Sequence, residues 1–156
     1  MPALAGWWDW IWLILGLTAV PSCVVWDKIS HRLGETSALM ASYSILLISI
    51  IIPALTNSLW LNVLGAILFG GTFAGVVSLM LVFIGHKFPH NPAKAMAKLT
   101  ISYGIAQITA PAIAGYIATL TGSYSRALWL AAACMAVGIA CLWQIHRISR
   151  DGENAV

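Results

Sequence analysis

The sequence predicts an all-α, polytopic membrane protein with five transmembrane helices. Of its 156 residues, 60% are hydrophobic and only 8% are charged, whereas soluble domains average about 25% charged residues. The mean hydropathy is +0.88, which leaves too few polar side chains to cover the surface of a soluble domain of this size. Uncharged runs of about 20 residues, the length that an α-helix needs to cross the hydrocarbon core, recur along the chain.

The first predicted helix covers residues 6–26. A secretory signal peptide would carry Lys or Arg before its apolar segment. Here Asp9 precedes that segment and Pro21 lies beside the only plausible cleavage point. The segment is therefore interpreted as a spanning helix.

The second and third predicted helices cover residues 37–56 and 59–85. They lie in one uncharged stretch, residues 36–85, which is too long for a single span. The residues from Pro53 to Ser58 are typical of a turn, and we place the boundary there. The connection between these two helices must be very short.

The fourth and fifth predicted helices cover residues 99–121 and 126–145, and the turn between them contains Gly122. The membrane domain as a whole is predicted to span residues 1–148. Residues 149–156 form a polar tail.

The ends of the helices are marked by aromatic and basic residues. Trp and Tyr favour the headgroup level, and one boundary carries Trp7, Trp8, Trp10, Trp12, Trp60, Tyr124 and Trp129, the other Trp26 and Trp143. Seven of the eight basic residues follow the first, third or fifth helix, and only Arg126 lies at the opposite side. Because positively charged loops stay in the cytoplasm, we predict an external N-terminus and a cytoplasmic C-terminus.

The predicted helices carry no ionisable group at mid-membrane, and no nucleophile–base pair or metal-binding motif is present. An enzyme is therefore not expected, and neither is a cofactor or a metal site. The basic residues are scattered between apolar runs, which argues against a nucleic-acid partner. The cysteines are predicted to be buried packing residues, namely Cys23, Cys134 and Cys141.

Small and polar residues occur at helical spacing in the third and fourth helices. Gly71 and Gly75 form a G-x-x-x-G step, which permits close helix packing or a conformational role. In the fourth helix one face is shared by Gly104, Gln107, Pro111 and Gly115. Hydrocarbon cannot satisfy the amide of Gln107, so this face is expected to meet protein or water. An interhelical hydrogen bond and a functional role both remain open for Gln107.

These features resemble the C-terminal half of a major facilitator superfamily transporter of the YbfB/YjiJ type. The most specific segments are LFGGTFAG at residues 68–75, YGIAQ at 103–107 with Pro111 and Gly115 after it, and TGSY at 121–124. The resemblance extends from about Gly6 to Arg147. It implies that the five helices correspond to the eighth to twelfth of a twelve-helix transporter in a bacterial inner membrane.

The segment WDKISHRLG at residues 26–34 lies where this superfamily repeats a cytoplasmic gating motif. Arg32 and Gly34 match the motif. His31 stands in place of an acid and Glu35 in place of a base.

The resemblance implies a secondary active transporter that moves a small solute by alternating access between two six-helix halves. Alone, five helices could not enclose such a cavity, so the chain is expected to be inactive without the missing helices, supplied in cis or in trans. The predicted pathway residues are Asn62, Thr72, Ser78, Tyr103 and Gln107. The predicted gating and packing residues are Gly71, Gly75, Gly104, Pro111, Gly115, Arg32 and Gly34.

Two alternatives remain open at this point. A self-sufficient five-helix scaffold or accessory subunit would use the same packing faces. A homo-oligomer of five-helix units is the third possibility, although it lacks the pseudo-symmetry between halves that the transport mechanism uses.

Overall fold

The computed structural model describes residues 8–56 and 58–153, with side chains for residues 10–56 and 58–147. Within these residues the chain forms five α-helices, which confirms the all-α prediction. They are α1 (Trp8–Leu33), α2 (Glu35–Leu55), α3 (Leu59–Lys87), α4 (Pro92–Thr121) and α5 (Ser125–Glu153). The predicted interfacial residue Trp7, the side chain of Trp8 and the turn residue Asn57 lie outside the described part of the chain.

Three helices are longer than the sequence predicted. α1 continues to Leu33 rather than residue 26, α4 begins at Pro92 rather than residue 99, and α5 continues to Glu153, so that part of the predicted tail is helical. The prediction followed apolar runs, and these end where the membrane ends. A helix continues through charged residues once it reaches water or headgroups, because its backbone hydrogen bonds need no apolar environment.

Short connections make consecutive helices antiparallel. A single residue, Gly34, joins α1 to α2, and the other three connections are residues 56–58, 88–91 and 122–124. In the described bundle α3 packs against α1, α2 and α4, and α2 also packs against α5. The C-terminal ends of α1, α3 and α5 therefore lie at one end of the bundle.

Four of the helices are long and hydrophobic enough to cross a membrane. These spans are Trp10–Leu33 in α1, Glu35–Leu55 in α2, Leu59–Lys87 in α3 and Ser125–Arg147 in α5. The fourth helix, predicted as a span over residues 99–121, does not reach the same hydropathy. Tyr103, Gln107 and Pro111 interrupt its apolar run and lower its hydropathy.

The core is built by every helix except α4. Its fully packed apolar side chains are Trp26, Ala38, Leu39, Leu79 and Leu142. No described residue of α4 is buried. The bundle is therefore held together by α1, α2, α3 and α5, with α4 at its periphery.

Two expectations about α1 and α5 are wrong. Trp26 does not mark a membrane boundary, because its side chain is 5% exposed and packs in the core. The three cysteines are exposed on the surface of the bundle rather than buried. Cysteine tolerates a lipid-facing position because its thiol is only weakly polar.

Gly34 occupies a backbone conformation that other residues rarely adopt. Its φ of 84° and ψ of 150° lie near a region that is essentially restricted to glycine. Its N–H donates to the Ser30 carbonyl at 2.9 Å, and its carbonyl accepts from the Ala38 N–H at 3.0 Å. A glycine with positive φ that is hydrogen-bonded on both sides lets α1 turn into α2 with no further linker.

We expect Gly34→Ala to destabilise the bundle by about 1–3 kcal/mol, the usual cost of backbone strain of this kind. The measurement is unfolding of the detergent-solubilised protein by SDS, followed by circular dichroism. Gly16→Ala is the control, since a Cβ there meets nothing within 4 Å and alanine favours a helix interior. Equal stability of the Gly34→Ala protein and the wild type would show that the connection is not strained.

Candidate functional site

The most extensive helix contact in the described bundle joins α1 to α3, and glycines of α3 lie in it. A Cβ at Gly75 would overlap the indole ring of Trp26, and a Cβ at Gly70 would overlap Thr18 and the Leu15 carbonyl. Gly70 and Gly75 are buried. Glycine at these positions lets the two backbones approach as the small residues of membrane helices commonly do.

The backbone of α3 is engaged by side chains of α1 at this contact. The Trp26 indole Nε1–H donates to the Gly71 carbonyl at 3.0 Å. The Gly75 N–H donates to the buried Ser22 hydroxyl at 2.7 Å. The Gly71 carbonyl and the Gly75 N–H are the pair that an ideal α-helix joins to each other. Each has a partner on α1, so this turn of α3 is tied to α1 by two directional bonds.

The G-x-x-x-G step therefore serves interhelical packing in the described structure. The two glycines differ in their surroundings, however. A Cβ at Gly71 would meet nothing within 4 Å, whereas one at Gly75 would overlap Trp26. Sequence spacing alone treats the two positions as equivalent.

The predicted pathway residues of α3 do not share one face. Thr72 is buried, whereas Asn62 and Ser78 are half-buried. At about 100° per residue, Ser78 lies about 120° around the helix from Thr72 and about 160° from Asn62. The Asn62 amide donates to the Ser58 carbonyl of its own helix at 2.9 Å. These three side chains do not converge on a common site.

The polar face of α4 is open in the described bundle. Gln107 and Pro111 are exposed, and a Cβ at Gly104 or Gly115 would meet nothing within 4 Å. The Gln107 amide donates to the Tyr103 hydroxyl at 3.2 Å. This bond lies within α4. Among the described residues Gln107 therefore does not form the interhelical hydrogen bond that was one of the two roles left open for it.

Tyr103 also lines an apolar cavity of about 410 Å³ between α2, α3, α4 and α5. Its polar lining groups are the hydroxyls of Tyr43, Thr100 and Tyr103. A second cavity of about 280 Å³ between α1, α2, α3 and α5 includes Asn62. Neither lining contains a charged side chain, so both spaces suit neutral or apolar groups.

Arg32 and Gly34 lie where α1 meets α2. Arg32 is exposed in the last turn of α1. The neighbouring residue that departs from the gating motif, Glu35, has a defined partner: the His86 Nδ1 lies 2.6 Å from its Oε1. This contact ties the first turn of α2 to the last turn of α3.

The sequence did not identify Ser22, Trp26, Glu35 or His86 as contact residues. Trp26 and Gly71 are 45 residues apart, and Ser22 and Gly75 are 53 apart. The available signal was a serine and a tryptophan four residues apart in the α1 helix, which places them on one face. That signal indicates a packed face but does not name its partner.

Within the described residues, no group of three or more His, Cys, Asp or Glu side chains is placed to hold a metal ion. The arrangement is a bundle of membrane-spanning helices with two tightly joined helices and one helix whose polar face is open. These features are typical of a polytopic membrane protein built from packed helices.

The chain belongs to the family described as uncharacterised MFS-type transporter YbfB, whose model matches residues 5–143. It is also similar to the inner membrane transport protein YajR of Escherichia coli (strain K12), with 28% identity over 143 residues. That alignment covers 90% of this chain but 31% of the relative. The chain thus spans about a third of the length of the relative that it matches. No solved structure matches the chain.

Family membership confirms the resemblance to the major facilitator superfamily and the YbfB type. It places the chain in a family of membrane transporters rather than in a family of enzymes.

Proposed function

We propose that this chain is the C-terminal part of a secondary active transporter, corresponding to the eighth to twelfth of its helices, and that it moves a small solute only together with the remaining helices. The observation that carries the proposal is the open polar face of α4. Gln107 and Pro111 are exposed there, and none of the described residues of α4 is buried. This face carries the side-chain amide of Gln107, a proline and two glycines. Exposing such polar groups to hydrocarbon is costly.

The length of the relative supports this proposal. YajR extends well beyond the aligned region, so there is room in a transporter of that size for helices that cover α4. With such a covering, α4 can act as a fifth membrane span despite its lower hydropathy, since its polar face would then meet protein or a water-filled path. Seven of the eight basic residues lie toward the C-terminal ends of α1, α3 and α5 or in the first part of α4. This distribution supports an external N-terminus and a cytoplasmic C-terminus in a bacterial inner membrane.

Tyr103 and Gln107 are the best-supported pathway residues. They form a hydrogen-bonded pair on the open side of α4, which is where a solute and the missing helices would both have access. Asn62, Thr72 and Ser78 remain proposed as pathway residues of α3. Gating and packing roles are proposed for the positions named for them in the sequence, namely Arg32, Gly34, Gly71, Gly75, Gly104, Pro111 and Gly115.

We expect a cysteine at position 107 to react with a membrane-impermeant maleimide in intact membranes. A thiol reacts as its thiolate, which forms in water and not in hydrocarbon. The background is a chain in which Cys23, Cys134 and Cys141 are replaced by alanine. Gln107→Cys is compared with Ile108→Cys, because Ile108 is 78% exposed on an adjacent, apolar face.

Labelling of position 107 with an unreactive position 108 would support a hydrated polar face on α4. Equal labelling of the two positions, or none at 107, would contradict a pathway role for this face. In the full transporter, transported solute should also slow labelling at position 107 and at Thr72→Cys. Labelling that no solute changes would remove both residues from the pathway.

The fragment hypothesis is tested by reading the genomic DNA upstream of Met1 in all frames. We expect about seven further membrane spans, either in frame or in a neighbouring gene, because twelve helices are needed to complete both halves. Their presence directs the full-length protein to a transport assay. If the upstream region encodes no hydrophobic helix, the transport proposal fails and a five-helix scaffold or accessory subunit takes its place.

A further inference from the structure

A basic cavity lies at the end of the bundle where α3 meets α4. Its volume is about 600 Å³, and its lining comes from the last turn of α3, the connection 88–91 and the first half of α4. The charged lining residues are Lys87, Lys94 and Lys98. This cavity shares no lining residue with the apolar cavity that includes Asn62, and Gln107 does not line it. It adjoins the apolar cavity that Tyr103 lines, because Leu99 contributes to both.

The α4 part of the lining forms one continuous helix face. The lining residues of α4 are the pair 94 and 95, the pair 98 and 99, and residue 102. They repeat at steps of three or four residues, the spacing of one face of an α-helix. Lys94 and Lys98 are one turn apart, so their Cβ atoms lie about 5–6 Å from each other. Two ammonium groups on adjacent turns of one face are well placed to approach the same anion.

No acidic side chain neutralises these lysines among the residues that the structure describes. The two contacts between basic and acidic groups in that part of the chain are Asp27–His31 and Glu35–His86. The sequence from His86 to Ser102 contains no Asp or Glu. The three lysines are exposed, and their charge is available to an external anion.

The remaining lining is apolar and lies beside the membrane. The span of α3 ends at Lys87, so the lysines lie at the level where hydrocarbon gives way to headgroups. Ile84 and Leu99 line the cavity from α3 and α4, and Phe88, which is 54% exposed, lines it from the connection. A cavity with cations at its polar side and apolar side chains at its membrane side matches a phosphate headgroup attached to acyl chains.

We propose that this cavity binds one anionic glycerophospholipid of the bilayer. Lys94 and Lys98 contact the phosphate, Lys87 supplies a third positive charge, and the glycerol backbone and the first part of an acyl chain lie against Phe88 and Leu99. The proposal stands on the cavity and its charge, and it does not depend on the transport proposal.

The test is titration of the detergent-solubilised 156-residue chain with phosphatidylglycerol, followed by native mass spectrometry. We expect one phosphatidylglycerol to be retained in preference to phosphatidylcholine of the same chain length. Each lysine near an anionic headgroup contributes about fivefold in affinity, so Lys94→Gln/Lys98→Gln should weaken phosphatidylglycerol binding by about 25-fold. Circular dichroism confirms that the variant is folded, and Lys94→Arg/Lys98→Arg should restore most of the binding.

The matched control removes two other basic residues from the same end of the bundle, Lys28→Gln/Arg147→Gln. We expect it to retain phosphatidylglycerol nearly as well as the wild type, because neither residue lines the cavity and exposed charges that do not contact the bound group are weakened by salt screening. Equal losses in both double variants would overturn the proposal, since attraction would then be diffuse.

Inorganic phosphate distinguishes the two sources of a phosphate group. An anionic lipid that is also held by its acyl chain is not displaced by inorganic phosphate at comparable concentration. If phosphate displaces the lipid, the cavity is a site for a soluble anion and the lipid proposal is wrong. Preference for phosphatidylcholine, or equal retention of both lipids, would also overturn it.

Discussion

Gly75→Ala is expected to destabilise the helix bundle by about 2 kcal/mol, within the range for overpacking of a tightly packed interior. The added Cβ overlaps the indole ring of Trp26. Trp26 is buried and hydrogen-bonded to the Gly71 carbonyl, so the ring has no free space into which to move. Separation of α1 from α3 would also lengthen the bond between the Gly75 N–H and Ser22, which is 2.7 Å in the structure.

The control for this prediction is Gly71→Ala, the same substitution one turn away on the same helix. A Cβ at Gly71 meets nothing within 4 Å, and alanine is favoured over glycine in a helix by about 0.5–1 kcal/mol. The two variants are therefore expected to differ in sign. Unfolding by SDS, followed by far-ultraviolet circular dichroism, measures both. Loss of stability by an equal amount in the two variants would contradict the α1–α3 contact described here.

Trp26→Ala is expected to cost about 3 kcal/mol, the lower end of the range for truncating a large aromatic side chain in a packed core. We expect the lower end of this range because lipid tails solvate an apolar ring nearly as well as a neighbouring helix does. The loss of stability then comes mainly from lost packing contacts. The substitution also removes the indole donor to the Gly71 carbonyl. Trp26 thus contributes both the packing of its ring and a hydrogen bond to the α1–α3 interface.

Trp26→Phe separates these two contributions. It keeps an aromatic ring against Gly75 but lacks the N–H donor, and a single interhelical hydrogen bond in a membrane protein averages about 0.6 kcal/mol. Trp12→Ala serves as the comparison for an exposed tryptophan of the same helix, since Trp12 is 68% exposed. If Trp26→Ala cost no more than Trp12→Ala, Trp26 would not be a core residue.

The α1–α3 interface bears on the roles proposed for Gly71 and Gly75. A gate moves between two arrangements of similar free energy. Two directional bonds and an indole ring against Gly75 favour one arrangement of these helices. The open face of α4, which has no such contacts among the described residues, is the part of the bundle that a partner helix or a solute can reach without breaking the core.

The hydropathy of the chain was sufficient to predict most of the fold. Burial in lipid requires long apolar helices, so the presence of five helices and the short turns near Pro53 and Gly122 followed from local composition. The polar face of α4 could also be predicted, because it follows from residue spacing on one helix. The segment of residues 26–34 that resembles a gating motif lies in the last two turns of α1 and at its junction with α2. Its gating role stays a prediction, and the pairing of Glu35 with His86 was not foreseen.

Tertiary structure alone decided which faces meet. Hydropathy is a property of each segment and is the same whether Trp26 faces lipid, headgroups or another helix. The two hydrogen bonds between α1 and α3 join residues that are 45 and 53 positions apart, and they depend on the angle and height at which α1 crosses α3. That geometry distinguishes Gly75, which α1 covers, from Gly71, which remains open on the same helix, because close packing acts on shape in three dimensions and not on spacing along the chain.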